Sequence, residues 1–252
     1  MTEIYVQYVA ATAVVFCRVT GCLMILPGFS SARVPVRVRV YIALLVTLTL
    51  SPPLIPVLLK AQPELTDPGI GVPLIATEFL KGAALGVAAR LLLAAIEFVG
   101  STIANLIGLG TMPGAPIEGF EPVPTLNSVM MLFATLLIFA TGLHWSMLSA
   151  LINSYTLLPA DGWFEAQPTL IHIANQLVLM AWLSAKLAGP FLVYGIVFNL
   201  AMGLTNKMTP QIPIFFVSIP FVLAGGMLLL YLSFDEIMRS FLDVFGNWAK
   251  GL

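Results

Sequence analysis

The sequence predicts an all-α membrane protein built from about six long hydrophobic helices, some of which can be kinked or broken. Two observations support this fold class. The 252 residues are 59% hydrophobic and only 9% charged, whereas soluble domains carry about 25% charged residues. The mean hydropathy is +1.00, and no stretch is polar enough to form a separate soluble domain. Residues 1–252 are therefore expected to form one integral membrane domain.

Six stretches are long enough to cross a bilayer, which takes about 20 apolar residues. The fifth is also long enough for a span with an extension, or for a broken helix. Lys and Arg divide almost evenly between the two sets of loops, so the positive-inside rule does not fix the topology. Partner subunits could set the orientation, or fewer than six stretches could span. The six stretches cover approximately residues 4–26, 38–59, 73–99, 126–152, 170–204 and 212–234.

Residues 231–252 have a different pattern from the stretches before them. Apolar residues recur at three- and four-residue steps from Phe234 to Trp248, and Asp235 and Arg239 lie on the opposite face. This pattern predicts an amphipathic helix, which could lie in the membrane interface or dock in the groove of a partner.

A Pro- and Gly-rich segment joins the third and fourth stretches. Its residues 108–124 include four prolines and four glycines, which excludes a regular helix. Irregular backbone near a membrane is tolerated only where protein or a water-filled cavity satisfies its polar groups. The residue pattern alone does not decide between a functional loop and a plain connector. The segment is unusual for a loop because it contains the apolar residues Leu109, Met112, Ile117 and Phe120.

Ionisable side chains inside apolar segments cost about 2.5–3.5 kcal/mol each and are therefore functional candidates. Glu78, Gly82, Gly86 and Arg90 fall at four-residue steps in the third stretch, so they form one slowly winding ridge. The two glycines permit close approach of another helix, and Lys81 can pair with Glu78 on the same helix. We expect a helix-packing face with charge-paired ends; a proton or ion relay is the alternative.

Arg18 and Lys186 stand alone in their apolar stretches. Neither has an acidic residue nearby in the sequence. We expect both to be buried charges that pair with a carboxylate or a carbonyl elsewhere, because a lipid-facing position is unfavourable unless the side chain snorkels.

Lys207, Pro210 and Gln211 lie between the last two stretches. Prolines on both sides of Gln211 predict an extended, kinked turn, because the residue before a proline avoids the helical conformation. This role is structural rather than catalytic.

The sequence shows no catalytic constellation. His144 and His172 form no metal-binding pair, and there is no nucleophile elbow or nucleotide-binding loop. Cys17 and Cys22 would point about 140° apart on a helix, which makes a disulfide or metal pair unfavourable. We therefore predict no enzyme, no cofactor and no metal site. The net charge of −1 argues against nucleic acid as a partner.

Taken together, these motifs resemble those of the FliR family. The resemblance covers nearly the whole chain, in order and with matching spacing. The motifs that carry it are Phe16-x-Arg18-x-x-Gly21, Glu78-x-x-x-Gly82-x-x-x-Gly86-x-x-x-Arg90, Gly142-x-His144, Gly203-x-x-x-Lys207-x-x-Pro210-Gln211-x-x-x-Phe215 and Gly225-Gly226.

Members of that family are core subunits of the flagellar type III export gate, and the SctT proteins are relatives in injectisomes. The resemblance implies a subunit that packs with FliP-like and FliQ-like subunits, near FlhB-like and FlhA-like components, into a helical export-gate channel. That channel would lie in the lipid of the bacterial inner membrane, at the flagellar basal body, and pass unfolded flagellar proteins. By position, residues 105–123 would be the pore-blocking loop, with Leu109, Met112, Ile117 and Phe120 as candidate plug side chains.

Two other functions stay open at this point. One is an injectisome export-gate subunit. The other is a small secondary transporter with a charged site at the midplane, formed from Glu78, Arg90, Glu97 or Lys186.

Overall fold

The architecture is almost entirely helical in the computed structural model, which describes residues 2–30, 34–62, 67–110, 113–114, 123–159, 166–211 and 214–250. Five of the described helices are long and apolar enough to cross a membrane, and a broken pair adds a sixth candidate. The prediction of an all-α membrane protein is confirmed. The elements are α1 (Thr2–Leu23), α2 (Val36–Ala61), α3 (Pro68–Leu106), β1 (Pro113–Gly114), β2 (Val123–Pro124), α4 (Thr125–Ala140), α5 (Leu143–Leu157), α6 (Ala166–Met208) and α7 (Ile214–Lys250).

The fourth predicted stretch is the one that is broken. Its helical run stops after Ala140, and Gly142 takes a left-handed φ of 77° before α5 begins. Glycine adopts that conformation without a steric penalty because it has no Cβ. For the fifth stretch, the sequence left open a span with an extension or a broken helix. The structure shows no break there, because α6 continues through Pro190 as a single helix of 43 residues.

The C-terminal amphipathic segment is not a separate helix. It continues the sixth stretch, so that α7 runs for 37 residues from Ile214 to Lys250. Within this helix, Arg239 pairs with Asp235 on an exposed face, whereas Phe241 and Phe245 are fully buried.

The chain divides into two compact units, which are described separately below. The first comprises residues 1–91, 139–177 and 245–252, and the second comprises residues 92–138 and 178–244. In the first unit α1 packs along α2, and Val15, Val19 and Leu58 belong to the core. The second unit draws its core from parts of four helices, including Leu92, Ile96, Ile103, Met130, Phe191 and Phe241.

Candidate functional site

The first part of the site is a close contact between the backbones of α1 and α3. A Cβ at Gly82 would overlap the carbonyl oxygen of Arg18, and a Cβ at Gly86 would lie 2.8 Å from the carbonyl oxygen of Cys22. Gly21 has the reciprocal role, because a Cβ there would meet the backbone of α3. Small residues allow helices to approach this closely. The glycines of the predicted ridge therefore pack against a helix of the same chain.

This contact brings three charged side chains together in the interior of the first unit. Nε of Arg18 donates to Oε2 of Glu78 at 2.5 Å, and Nη2 donates to Oε1 at 2.7 Å. Nζ of Lys81 donates to Oε1 at 3.1 Å. Arg18 and Glu78 are fully buried and Lys81 is 4% exposed. The guanidinium also covers the ring of Tyr155, with Cζ 3.8 Å from the ring centroid, a cation–π contact.

The remaining donors of this cluster bind the end of α5. Nη2 of Arg18 donates to the carbonyl oxygen of Leu158, and Nζ of Lys81 donates to that of Pro159, each at 2.8 Å. Nη1 of Arg18 also donates to Oγ of Ser154 at 3.3 Å. Leu158 is the C-cap of α5, so its carbonyl lacks an intrahelical donor and lies at the negative end of the helix dipole; Pro159 is the next residue. The positive charge in excess of the Glu78 carboxylate is thus compensated by carbonyl oxygens. The cluster binds the C-terminal end of α5 to α1 and α3.

The other end of the predicted ridge is different. Arg90 is exposed and does not take part in the buried cluster around Glu78, so the charge pairing expected at this end stays a prediction. Arg90 lies outside that cluster for a geometric reason: each four-residue step advances about 40° around a helix, so Arg90 lies about 120° around α3 from Glu78 and about 18 Å along its axis. Glu78 faces α1, whereas Arg90 does not.

Lys186 is also exposed. The expectation that it would be a buried charge was therefore wrong for the chain itself. Its Nζ lies 5.8 Å from the ring centroid of Trp182, one turn earlier on α6. A lysine stem can lie along apolar surface while the ammonium stays accessible, which accounts for this position.

In the second unit, glycines of α6 and α7 fix the end of α3. A Cβ at Gly195 would lie 2.7 Å from Cδ2 of Leu106, and a Cβ at Gly226 would overlap the side chain of Ile107. Beside this contact, the hydroxyl of Tyr194 donates to the carbonyl oxygen of Val222 at 2.9 Å. Gly226 was part of a motif noted in the sequence, but Ile107, which it contacts, lies more than 100 positions away.

The predicted plug segment, residues 105–123, includes this anchored end, because α3 continues to Leu106. Gly108 takes φ 83°, and the amide of Leu109 donates to the carbonyl oxygen of Ala104 at 2.8 Å, so the chain leaves α3 by a tight turn. Leu109 is half-buried. The other candidate plug residues, Met112, Ile117 and Phe120, lie outside the described residues.

A short antiparallel ladder joins the two sides of the same segment. Pro113 pairs with Pro124, and Gly114 pairs with Val123. The ladder therefore holds positions 114 and 123, which flank residues 115–122, side by side.

Of the three predicted turn residues, Pro210 and Gln211 lie between α6, which ends at Met208, and α7, which begins at Ile214, whereas Lys207 belongs to the last turn of α6. All three are exposed. They belong to the second compact unit, and Arg18, Glu78 and Lys81 belong to the first.

The described residues offer no group of three or more His, Cys, Asp or Glu side chains that could hold a metal ion. His144 stacks on Phe139 with ring centroids 5.5 Å apart. Its Nδ1 is buried and has no hydrogen-bond partner in the part of the chain that the structure describes.

Comparison with known proteins gives the family. Residues 9–248 match the family described as bacterial export proteins, family 1. The flagellar biosynthetic protein FliR of Caulobacter vibrioides is 32% identical over 94% of this chain and 96% of its own length. The proteins of the same name from Escherichia coli and Aquifex aeolicus are 26% and 24% identical, over 84% and 93% of this chain and 80% and 89% of their own lengths. The family match at residues 9–248 spans the α1–α3 contact, the loop between α3 and α4 and the connection between α6 and α7. The chain belongs to the bacterial export proteins, family 1, the family of the flagellar biosynthetic protein FliR.

Proposed function

We propose that this chain is a core subunit of the flagellar type III export gate, in the bacterial inner membrane at the flagellar basal body. It would assemble with FliP-like and FliQ-like subunits, alongside FlhB-like and FlhA-like components, to form and seal the channel for unfolded flagellar proteins. The observation that carries this proposal is the family match, because it extends over residues 9–248 and therefore includes the loop as well as the helices.

The dimensions of the last two helices support an assembled subunit. α6 has 43 residues and α7 has 37, or about 65 Å and 55 Å at 1.5 Å per residue. The hydrocarbon core of a bilayer is about 30 Å thick. Only 22% and 17% of their apolar windows are buried within the chain. Lipid cannot cover the whole length of such helices unless they tilt strongly, so we assign the remaining cover to partner subunits.

The loop between α3 and α4 supports a sealing role. Its base is fixed, because Leu106 and Ile107 pack against glycines of α6 and α7. Its two sides are joined by the ladder at Gly114 and Val123. An apolar, Pro- and Gly-rich loop on a fixed base can exclude water from a narrow pore and can still be displaced by a passing chain. Leu109, Met112, Ile117 and Phe120 are the side chains that we assign to this seal.

The buried cluster supports a structural role for the charges of α3. Both oxygens of the Glu78 carboxylate accept hydrogen bonds from Arg18, and one of them also accepts from Lys81. A proton relay or a transported ion would have to compete with two cations for this carboxylate. Arg90 and Lys186, two of the other residues that the transporter alternative could use, are exposed. We therefore assign the cluster to holding α1, α3 and α5 together, and we assign the energy for export to other subunits.

The direct test is to identify the partners. The tagged chain is extracted from its own host in a mild detergent, and everything that co-purifies is identified by mass spectrometry, with an unrelated tagged multi-pass membrane protein as the control. We expect FliP-like and FliQ-like proteins in one stable complex. A chain that purifies alone or as a simple homodimer contradicts the proposal and favours the secondary transporter.

A further inference from the structure

The end of α3 is held in place by a tyrosine of α6 as well as by glycines. The side chain of Ile107 occupies the space where a Cβ of Gly226 would lie, and Ile107 is 2% exposed. The ring of Tyr194 borders the same space, because its Cε1 would be 3.6 Å from that Cβ. Tyr194, Gly226 and Ile107 therefore belong to one contact between α6, α7 and the residue that follows α3.

The hydroxyl of Tyr194 binds α7 at the level of its glycine pair. It donates to the carbonyl oxygen of Val222 at 2.9 Å and lies 3.5 Å from that of Phe221. In an α-helix these two carbonyls are the acceptors for the amides of Gly226 and Gly225. A Cβ at Gly225 would lie 2.6 Å from the hydroxyl oxygen. The absence of a side chain at Gly225 thus makes room for the bond between the two helices.

The backbone of α7 resists bending least at this same level. After proline, glycine is the least favourable residue in a helix interior, and Gly225 and Gly226 are consecutive. Pro220 lies inside the same helix and has no N–H, so it cannot donate a helical hydrogen bond. Helix kinks occur mainly at such residues. The bond from Tyr194 therefore fixes a segment of α7 that its own backbone leaves easy to bend.

We propose that Tyr194 is a positioning residue for the seal. Its hydroxyl holds α7 against Ile107, and through Ile107 it holds the base of the loop between α3 and α4 in the sealed position. When this bond opens, α7 can bend away from Ile107, and the loop loses one side of its base. The other side, where Gly195 of α6 contacts Leu106, does not depend on the hydroxyl. The inference rests on the proposed function, which supplies the sealing role of the loop.

The first test measures how often the contact at Ile107 opens. Ile107→Cys is introduced into a chain that also contains Cys17→Ala and Cys22→Ala, and its reaction with N-ethylmaleimide is followed by mass spectrometry. A buried thiol reacts when the contact opens locally, so the reaction rate follows the open population. We expect Tyr194→Phe to raise this rate about threefold, the shift that an average interhelical hydrogen bond in a membrane supports.

Tyr231→Phe is the matched control for the loss of a hydroxyl. Tyr231 lies in α7 as well, but it is 80% exposed, and its hydroxyl is outside the contact. We expect the thiol rate of this variant to equal that of the parent chain. An unchanged rate with Tyr194→Phe, or equal increases with both variants, overturns the proposal.

Gly225→Ala tests whether Tyr194 acts through its bond to α7. The added Cβ would lie 2.6 Å from the hydroxyl oxygen, so it displaces the hydroxyl from the carbonyl of Val222 while the tyrosine remains. We expect this variant to raise the thiol rate as Tyr194→Phe does. The double variant should react no faster than either single variant, because both substitutions remove the same bond. Effects that multiply in the double variant would show two independent causes and contradict the proposal.

The ion conductance of the assembled complex connects this contact with the seal. In the complex with FliP-like and FliQ-like subunits, we expect Tyr194→Phe to raise the basal conductance in planar bilayers at a normal yield of complex. A lower yield or melting temperature with unchanged conductance shows a merely structural role and overturns the positioning role. A chain that purifies without export subunits contradicts the proposed function instead. In that chain the thiol rates still decide whether Tyr194 holds Ile107 in place.

Discussion

The guanidinium of Arg18 in α1 binds both carboxylate oxygens of Glu78 in α3, at 2.5 Å and 2.7 Å. Sixty residues of sequence separate the two partners, and neither side chain is accessible to solvent. Each charge is stabilised chiefly by the other. Loss of either member therefore destabilises the chain, although the intact pair is not an independent source of stability.

Glu78→Ala is expected to destabilise the chain strongly. The substitution leaves two buried cations without a carboxylate, and breaking a buried pair costs about 3–5 kcal/mol. We expect the melting temperature in detergent to fall by about 6 °C or more. Asp235→Ala, which breaks the exposed pair with Arg239, is the matched control and should change the melting temperature little. Equal shifts for the two variants would show that the buried cluster is not important for stability.

Lys81→Met is expected to be milder than Glu78→Ala. Arg18, Glu78 and Lys81 together carry one excess positive charge, so removing the lysine leaves one cation and one anion, whereas removing the glutamate leaves two cations. Methionine also fills most of the volume of the lysine stem. We expect less than half of the Glu78→Ala shift in melting temperature, measured in the same detergent. A shift as large as that of Glu78→Ala would mean that the bond to the carbonyl of Pro159 dominates.

Gly86→Leu is expected to prevent assembly of the complex. Even a Cβ at this position lies 2.8 Å from the carbonyl oxygen of Cys22, so an isobutyl group would separate α1 from α3. The yield of the co-purified complex is the measurement. Gly69→Leu, in the first turn of the same helix, is the control, because a Cβ there meets only the side chain of Asp67, at 3.5 Å. A normal yield of complex with Gly86→Leu would contradict the close contact between α1 and α3.

Shortening the loop between α3 and α4 is expected to make the assembled complex leak small ions. The ladder allows a defined deletion: because Gly114 pairs with Val123, residues 115–122 can be replaced by Asn-Gly, the preferred two-residue hairpin turn. Ile117 and Phe120 are then lost while both sides of the ladder stay. Conductance is measured in planar bilayers against the unmodified complex. An assembled variant with unchanged conductance would remove the sealing role from this loop.

The sequence alone was sufficient to predict the class of fold and the local ion pair between Glu78 and Lys81. Hydrophobic composition predicts the long helices, and the three-residue spacing of Glu78 and Lys81 predicts their contact. The partner of Arg18 could not be predicted, because it depends on how α3 lies against α1. The contribution of the Leu158 and Pro159 carbonyls was equally hidden, since backbone groups leave no signal in residue type.

The ends of the helices were also only partly predictable from the sequence. Gly142 breaks the fourth stretch through its left-handed φ of 77°, and a glycine in an apolar run does not by itself reveal that conformation. Pro190 looks like a breaker in the sequence, yet α6 continues through it. In a membrane, neighbouring helices and side chains can satisfy the freed backbone group, and those neighbours are not encoded next to the proline.

The bond between Arg18 and Glu78 also has a consequence for biosynthesis. The chain is made from its N-terminus, so α1 reaches the membrane while α3 has not yet been translated. During that interval Arg18 has no carboxylate to bind, and an unpaired arginine in a spanning segment is penalised by about 2.5–3.5 kcal/mol. We therefore expect α1 to integrate stably only after Glu78 has arrived beside it. The order of membrane integration would then differ from the order of synthesis, with the first helix settling after the third.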